Sequence, residues 1–274
     1  MFSFKDKTYF ISGASRGIGK AIALKLASEG ANIIIAAKSV SEQPNLEGTI
    51  YTAAKEIELA GGKAFPIACD IRDEEQIVTA FKSGVANFGS LHGIINNASA
   101  ISLSNTEQTS AKKFDLMHDI NVRGTFLVTK HGIPYLKQAG GGHILTLSPP
   151  IDLQPKWFKD SLPYTLSKFN MTLLAMGWAA ELKKDTIAAN SLWPMTTIAT
   201  AAVNNLLGGD YLMKRSRKPE IVADAVHFIL QQDPSIYTGQ QLLDETVLQQ
   251  AGITDFSSYA VVPGGELQKD LFLD

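Results

Sequence analysis

The chain has 274 residues, of which 45% are hydrophobic and 19% charged, a composition typical of a globular protein with one large core. Its formal net charge of −2 provides no extended positive field, which disfavours nucleic acid and anionic membranes as partners. The single cysteine excludes an intramolecular disulfide and favours a reducing compartment. Since no segment has the length of a membrane span or the apolar core of a signal peptide, we expect a cytoplasmic protein.

Short β-branched runs alternate along the chain with longer stretches of helical periodicity. The sequence predicts strands at residues 9–12, 32–37, 64–69, 93–96, 143–147, 188–192 and 241–243. Helices are predicted at residues 17–28, 73–87, 112–137, 162–183 and 219–232. This alternation predicts a single Rossmann-type, doubly wound α/β domain with a parallel sheet of about seven strands and helices on both faces. We assign residues 1–250 to this domain, and residues 251–274 to a tail packed on the same domain or on a neighbouring subunit.

A glycine-rich turn connects the first predicted strand to the first predicted helix. Gly13, Gly17 and Gly19 have the spacing Gly-x3-Gly-x-Gly. Glycine allows a tight turn and a close approach of backbone to a pyrophosphate, and the following helix N-terminus provides N–H donors. A glycine-rich surface turn is the alternative, but the position at the first strand–helix junction favours a dinucleotide. We expect the cofactor to contact Gly13, Ser15, Arg16, Ile18 and Gly19.

The end of the second predicted strand distinguishes NADP(H) from NAD(H). Proteins that bind NAD usually place a carboxylate there for the ribose 2′-hydroxyl. In this chain Ala37 occupies that position, Lys38 follows, and the next acidic residue is Glu42. Arg16 adds a second cation in the glycine turn, so the sequence favours a 2′-phosphate and NADP(H). The alternative for Lys38 alone is an ordinary exposed lysine.

The pattern Tyr-x-x-x-Lys occurs twice, at Tyr51 and Lys55 and at Tyr164 and Lys168. Ligands of open parallel sheets bind beyond the carboxyl ends of the strands, and the helix after the fifth predicted strand lies on the nicotinamide side. We therefore choose Tyr164 and Lys168, and interpret the other pair as ordinary helix residues. A free phenol has a pKa near ~10, and we expect the ammonium of Lys168 and a cationic nicotinamide to lower it towards neutral pH.

These residues resemble the short-chain dehydrogenase/reductase family over a segment from Lys7 to about Leu243. Other positions that match the family are Asp70, the run Asn96-Asn97-Ala98-Ser99, Asn121, Pro194 and the run Tyr237-Thr-Gly-Gln240. The resemblance implies hydride transfer between NADP(H) and a carbonyl or alcohol, with Tyr164 as general acid/base and Lys168 adjusting its pKa. It implies that Asn121 anchors a water in a proton relay. It also implies cofactor contacts at Lys38, Asp70, Ile71, Asn97, Ala98, Tyr164, Lys168, Pro194 and Thr197.

Two positions depart from the family pattern. The family's fifth strand usually ends Ser-Ser, and its second serine polarises the substrate oxygen, whereas this chain has Ser148 followed by Pro149. Proline has no side-chain donor, so Ser148 becomes the candidate catalytic serine, although neighbouring strand residues point to opposite faces. The polar residues Asp152, Asp160 and Ser161 are weaker candidates. Met195 stands where the family usually has glycine, and it could reshape the pocket over the nicotinamide.

A narrower likeness, through residues 143–150, Trp157, Phe158 and Trp193, is to the hydroxysteroid dehydrogenase-like branch of the family. Some members of that branch carry an added sterol-carrier domain, and we expect this chain to lack one. The resemblance implies a homo-oligomer, either a dimer or a tetramer, and an apolar small-molecule substrate. The aromatic pair Trp157 and Phe158 either lines the substrate pocket or packs the loop.

An alternative function, favoured by Pro149, is an NADP(H)-binding sensor or scaffold with little catalysis. The histidines have no metal-ligand spacing, so we expect no metal.

Overall fold

The computed structural model of the chain describes residues 2–42, 44 and 46–274. Its sheet contains seven parallel strands in the order β3-β2-β1-β4-β5-β6-β7. Their bounds are β1 (Thr8–Ser12), β2 (Asn32–Ala37), β3 (Lys63–Ala68), β4 (Gly93–Asn96), β5 (Gly142–Leu147), β6 (Ile187–Trp193) and β7 (Gln241–Leu243). The predicted Rossmann-type fold is confirmed, and every predicted strand is found with its ends shifted by at most one residue.

Helices cover both faces of the sheet. Their bounds are α1 (Gly17–Ala27), α2 (Ile50–Leu59), α3 (Glu74–Phe88), α4 (Ala111–Met117), α5 (Thr125–Gln138), α6 (Leu162–Glu181), α7 (Gly209–Lys214), α8 (Glu220–Leu230) and α9 (Asp244–Gln250). The predicted helical stretch over residues 112–137 is helical throughout, and a π-helical segment, His118–Gly124, lies between α4 and α5. The helices α7 and α9 are short and were not predicted, since six or seven residues carry too little periodicity.

The core is divided into two layers by the sheet. Successive side chains of a strand point to opposite faces, so Ile33 and Ile35 join the buried cluster formed with α1, α2 and α8. Ile34, between them, joins the cluster formed with α3, α5 and α6. Because central parallel strands are buried on both faces, they are continuous apolar runs in the sequence.

The strand order reverses between β1 and β4, where the chain crosses from one half of the sheet to the other. The connections leaving the carboxyl ends of these two strands diverge to opposite sides and leave a crevice between them, which is where open α/β sheets bind ligands. The predicted glycine turn follows β1, and Asn97 and Ala98 follow β4. The fold thus places both segments at the crevice.

Within the described ranges, no helix is long and apolar enough to cross a membrane. The same residues include no group of three or more histidine, cysteine, aspartate or glutamate side chains that could hold a metal ion.

Candidate active site

The glycine turn is held against the end of β4 by contacts that only glycine permits. A Cβ on Gly19 would lie 2.4 Å from Nδ2 of Asn97 and 2.7 Å from the carbonyl oxygen of Gly13. Gly13 has a φ of +72°, in the left-handed region, and a Cβ there would lie 3.1 Å from Cα of Ala98. Nδ2 of Asn97 donates to the carbonyls of Ser12, at 2.9 Å, and Gly13, at 3.1 Å. Asn97 therefore fixes the turn at the start of α1.

A cleft of about 790 Å³ lies in front of this turn. The residues that line it include most of the predicted cofactor contacts, namely Gly13, Ser15, Arg16, Ile18, Lys38, Asp70, Ile71, Asn97 and Ala98. Gly19 lies behind this surface, where its missing side chain lets α1 approach β4. Exposed backbone at a glycine turn, next to a helix N-terminus, suits a pyrophosphate. The residues present therefore fit the adenosine and pyrophosphate parts of a dinucleotide.

Charged side chains surround the end of this cleft near β2 and β3. The Lys38 side chain is 58% exposed, and its Nζ lies 3.6 Å from Oδ2 of Asp70. Asp70 forms a closer ion pair with Arg72, whose hydrogen bonds help to lower the pKa of Asp70 to about 2. The Arg16 guanidinium donates to the backbone carbonyls of Leu46, Glu47 and Gly48. Of the cations described at this end of the cleft, Lys38 thus has the weakest contact with other protein groups.

A second, mostly apolar cavity of about 530 Å³ adjoins the first cleft. Both are lined by Ile18, Asn97, Ser99, Thr200 and Ala202. Of the predicted residues, the second cavity is lined by Tyr164, Lys168, Pro194 and Thr197, and the two tryptophans Trp157 and Trp193 form part of its wall. The two spaces make one continuous groove, from Lys38 at one end to Tyr164 at the other. The residues that the two spaces share connect the cleft at the glycine turn with the mostly apolar cavity.

Tyr164 and Lys168 lie on the first turns of α6 and are 4% and 2% exposed. Nζ of Lys168 donates to the carbonyl of Leu147, at 2.6 Å, and lies 4.9 Å from the centroid of the Trp193 ring. Burial lowers the pKa of Lys168 to about 7. Tyr51, by contrast, is 52% exposed on α2, and neither it nor Lys55 lines the groove. The structure thus brings together the tyrosine–lysine pair chosen from the sequence.

The environment of the Tyr164 hydroxyl differs from the expectation. Burial raises the pKa of Tyr164, and the negative charge of Asp270 raises it further. The pKa is thus raised and not lowered as expected, and desolvation of the phenolate is the largest cause. In this environment Tyr164 is a neutral phenol at physiological pH, which is the protonation state of a proton donor.

Asn121 lies in the π-helical segment and is fully buried. Its Nδ2 donates to the carbonyl of Ala100 and to Oγ of Ser167, both at 2.9 Å. Its Oδ1 accepts from the Ala100 N–H, at 2.8 Å, and from Oγ of Ser99, at 3.1 Å. These contacts use both donors and both acceptor positions of the amide. The side chain therefore ties the loop after β4 to α6, and a bound water would have to use backbone groups instead.

The structure does not bring Ser148 into the groove. Ser148 is fully buried, its Oγ accepts from Oγ1 of Thr172 at 2.8 Å, and it is not among the described residues lining either cavity. Pro149 accepts from the same threonine hydroxyl through its carbonyl. The side chain at the end of β5 is thus turned towards α6, as the alternation of strand side chains suggests.

The weaker candidates in the loop after β5 are also engaged elsewhere. Asp152 accepts from Nε1 of Trp157 at 2.7 Å, and the exposed Asp160 lies 3.8 Å from Nζ of Lys159. Ser161 lies 3.4 Å from the hydroxyl of Thr165. The aromatic pair separates, since Trp157 lines the second cavity whereas Phe158 packs edge-on against Phe169.

The segment after β6 forms one rim of the second cavity and carries Pro194 and Thr197. The Met195 N–H donates to Oδ1 of the buried Asp244 at 2.8 Å, so a carboxylate fixes the position where the family has glycine. The Thr197 hydroxyl lies 2.8 Å from that of Ser216. The two hydrogen bonds tie this rim to α9 and to the segment after α7.

Sequence reasoning missed the contribution of the C-terminal tail. Gln268, Lys269, Asp270, Leu271 and Leu273 line the second cavity. The Gln268 carbonyl accepts from the Thr197 N–H at 3.0 Å, and the Leu271 carbonyl accepts from Nε1 of Trp193 at 3.0 Å. Phe272 is 3% exposed, and its ring centroid lies 6.2 Å from that of Tyr164. The apolar run Leu271-Phe272-Leu273 at the end of the tail was the available signal.

The family model for short chain dehydrogenases matches residues 7–207. Hydroxysteroid dehydrogenase-like protein 2 from Xenopus laevis is 54% identical over 267 residues, which are 97% of this chain and 63% of that protein. The protein of the same name from Homo sapiens is 51% identical with the same coverage. The chain therefore spans somewhat less than two thirds of the length of these curated relatives.

Solved structures extend the comparison. A short chain dehydrogenase from Mycobacterium thermoresistibile is 54% identical, with a TM-score of 0.94 over 99% of this chain and 96% of that one. A metagenomic short-chain oxidoreductase in complex with NADP is 25% identical, with a TM-score of 0.72 over 88% and 98% of the two chains. A short chain dehydrogenase from Mycobacterium paratuberculosis bound to NAD is 26% identical, with a TM-score of 0.76 over 90% and 100%. Given the family match and the identity to these relatives, the chain belongs to the short-chain dehydrogenase family of oxidoreductases.

Proposed function

We propose that this protein is an NADP(H)-dependent oxidoreductase that transfers a hydride between nicotinamide and an apolar carbonyl or alcohol. The observation that carries the proposal is the position of Tyr164 and Lys168. Both line an apolar cavity that is continuous with the cleft at the glycine turn. A proton donor and a dinucleotide cleft are thus within one groove, as hydride transfer to a carbonyl requires.

The bound nicotinamide supplies or accepts the hydride, and the chain's own residues manage the proton and the environment. Tyr164 donates its proton to the substrate oxygen during reduction and accepts one during oxidation. Because burial raises its pKa, the phenol holds its proton until the substrate oxygen gains negative charge. Lys168, held by the Leu147 carbonyl, places positive charge beside the phenol when it is protonated. Asn121 acts as a positioning residue through Ser167, and the apolar walls exclude water.

For the cofactor, we propose NADP(H) because of Lys38. The end of β2 presents a half-exposed ammonium and no carboxylate of its own, and Asp70 is already paired with Arg72. NADPH should bind at least about ten times more tightly than NADH, which corresponds to about 1.4 kcal/mol. In Lys38→Asp this preference should disappear, as measured by calorimetric titration with both cofactors. Equal affinities in the wild type would contradict the argument from charge.

For the reaction, the test is a panel of apolar ketones and alcohols assayed with NADPH and NADP⁺. Turnover of at least one pair is the expected result. A second candidate function, an NADP(H)-binding sensor or scaffold, is favoured by the burial of Ser148 and by Pro149, which leave the usual serine position without a donor. NADPH binding with no turnover across the panel would support the sensor and contradict the oxidoreductase. A cytoplasmic location and a homo-oligomer are part of the proposal, and they rest on the composition and on the family resemblance.

A further inference from the structure

The second cavity contains a carboxyl group that the proposed mechanism does not use. Asp270 lies on the C-terminal tail and lines this cavity together with Tyr164 and Lys168. It is close enough to both of them for its charge to affect their pKa values. The lining is otherwise rich in tryptophan, leucine and isoleucine side chains, so a carboxyl group here is costly unless it has a partner.

Backbone contacts hold Asp270 in place and leave one of its oxygens available. The Asp270 N–H donates to the Met195 carbonyl at 3.2 Å, and Oδ1 accepts from the Leu271 N–H at 2.7 Å. Its Oδ2 forms no hydrogen bond with any residue in the described ranges. The carboxyl group is therefore oriented by the chain, with one oxygen free to bind a ligand.

We propose that Asp270 hydrogen-bonds the substrate oxygen, the role left open by the burial of Ser148. The proposal rests on the proposed oxidoreductase function. Tyr164 transfers the proton in both directions, and Asp270 forms a hydrogen bond without transferring one. As a carboxylic acid it donates to a carbonyl oxygen, and as a carboxylate it accepts from an alcohol hydroxyl.

The charged groups around Asp270 support this dual role. Tyr164 and Lys168 face it from α6, and Asp244 faces it from the start of α9. Burial raises the pKa of Asp270 to about 7, and the charge of Asp244 contributes, while the Leu271 N–H and Lys168 oppose the shift. Both protonation states are thus available near neutral pH. A group that must be protonated to bind a carbonyl should make ketone reduction decline as the pH rises above 7.

The experiment compares Asp270→Asn with Asp270→Ala in ketone reduction with NADPH, from pH 6 to pH 9. Asparagine retains a donor that does not titrate, whereas alanine has none. We expect Asp270→Ala to lose at least about tenfold in kcat/KM. We expect Asp270→Asn to retain most of the activity and to show a shallower decline above pH 7 than the wild type, because Lys168, whose pKa is also about 7, still titrates. Glu266→Gln is the matched control, because Glu266 lies on the same tail but is exposed and paired with Arg215.

Equal losses in both variants would overturn the proposal, since they would show that Asp270 acts only as a counter-ion of Lys168. Full activity in both would overturn it as well. If the wild type reduces no ketone, the oxidoreductase proposal fails. The hydrogen bond proposed for Asp270 is then tested by ligand binding. NADPH-saturated protein is titrated with cyclohexanone and with cyclohexane, using tryptophan fluorescence, to which Trp157 and Trp193 in the cavity wall contribute. Loss of cyclohexanone affinity alone in Asp270→Ala supports the proposal, whereas equal losses for both ligands, or no binding of cyclohexanone by the wild type, overturn it.

Discussion

Replacing Phe272 by alanine should release the C-terminal tail from the substrate cavity without unfolding the domain. The Phe272 ring is 3% exposed, and its centroid lies 5.3 Å from that of Phe169 and 6.0 Å from that of Trp193, in addition to its contact with Tyr164. Burying a phenylalanine contributes about 1.5–3 kcal/mol, and an aromatic pair adds about 0.5–1.5 kcal/mol. Because the φ of 72° at this position is unfavourable for alanine too, the substitution recovers no strain.

The expected loss is therefore about 3 kcal/mol, confined to the docking of residues 268–274. Such a loss corresponds to roughly a hundredfold increase in local opening. Hydrogen exchange measures it directly, because the N–H groups of Gln268 and Asp270 are bonded to carbonyls of the domain. Val262→Ala, at a half-exposed position of the same tail, is the control and should leave exchange unchanged. Unchanged exchange of residues 268–274 in Phe272→Ala would refute the reasoning, as would an equal increase throughout the chain.

Two further predictions concern buried polar residues. Burial lowers the pKa of Lys168 from 10.5 to about 7. Between these pH values the unfolded chain therefore binds more protons than the folded protein, and Lys168 makes the free energy of unfolding rise with pH. Lys168→Met should therefore raise the Tm at pH 7, with a smaller gain at pH 9, as measured by calorimetry; a lower Tm at pH 7 would contradict this. Asn121→Ala should lower the free energy of unfolding by about 2–4 kcal/mol, since it removes the hydrogen bonds that the buried amide forms with both polar groups of Ala100 and with Ser167. In urea denaturation, Asn170→Ala on α6 is its control, and a loss no larger than that control's would be inconsistent with the account.

The fold was predictable because its strongest determinants are local. Strands such as β2 are buried on both faces and appear in the sequence as uninterrupted apolar runs. The position of the glycine turn after the first of these strands was enough to locate the cleft. Choosing Tyr164 over Tyr51 needed the strand order as well, and strict alternation of strands and helices supplied it.

Other parts of the site depend on contacts that produce no periodic pattern in the sequence. The last residues of the tail are attached by isolated backbone hydrogen bonds and by the packing of Phe272, so the sequence did not indicate which cavity Phe272 and Asp270 would reach. The role of Ser148 depends on which face its side chain takes; strand alternation suggested the face turned away from the groove, but Ser148 lies one residue beyond the end of β5, where alternation alone could not decide. The balance of charge and burial at Tyr164 depends on how completely the tail covers the phenol.

The central claim is that Tyr164 transfers the proton, and two tyrosine variants test it most directly. The measurement is kcat for ketone reduction at saturating NADPH in Tyr164→Phe and in Tyr51→Phe. The second variant is matched, because Tyr51 has the same spacing to a lysine but lies exposed on α2. The account predicts a loss of at least about a hundredfold in Tyr164→Phe with unchanged NADPH affinity, and no loss in Tyr51→Phe. Retained turnover in Tyr164→Phe, or an equal loss in the two variants, would contradict the claim.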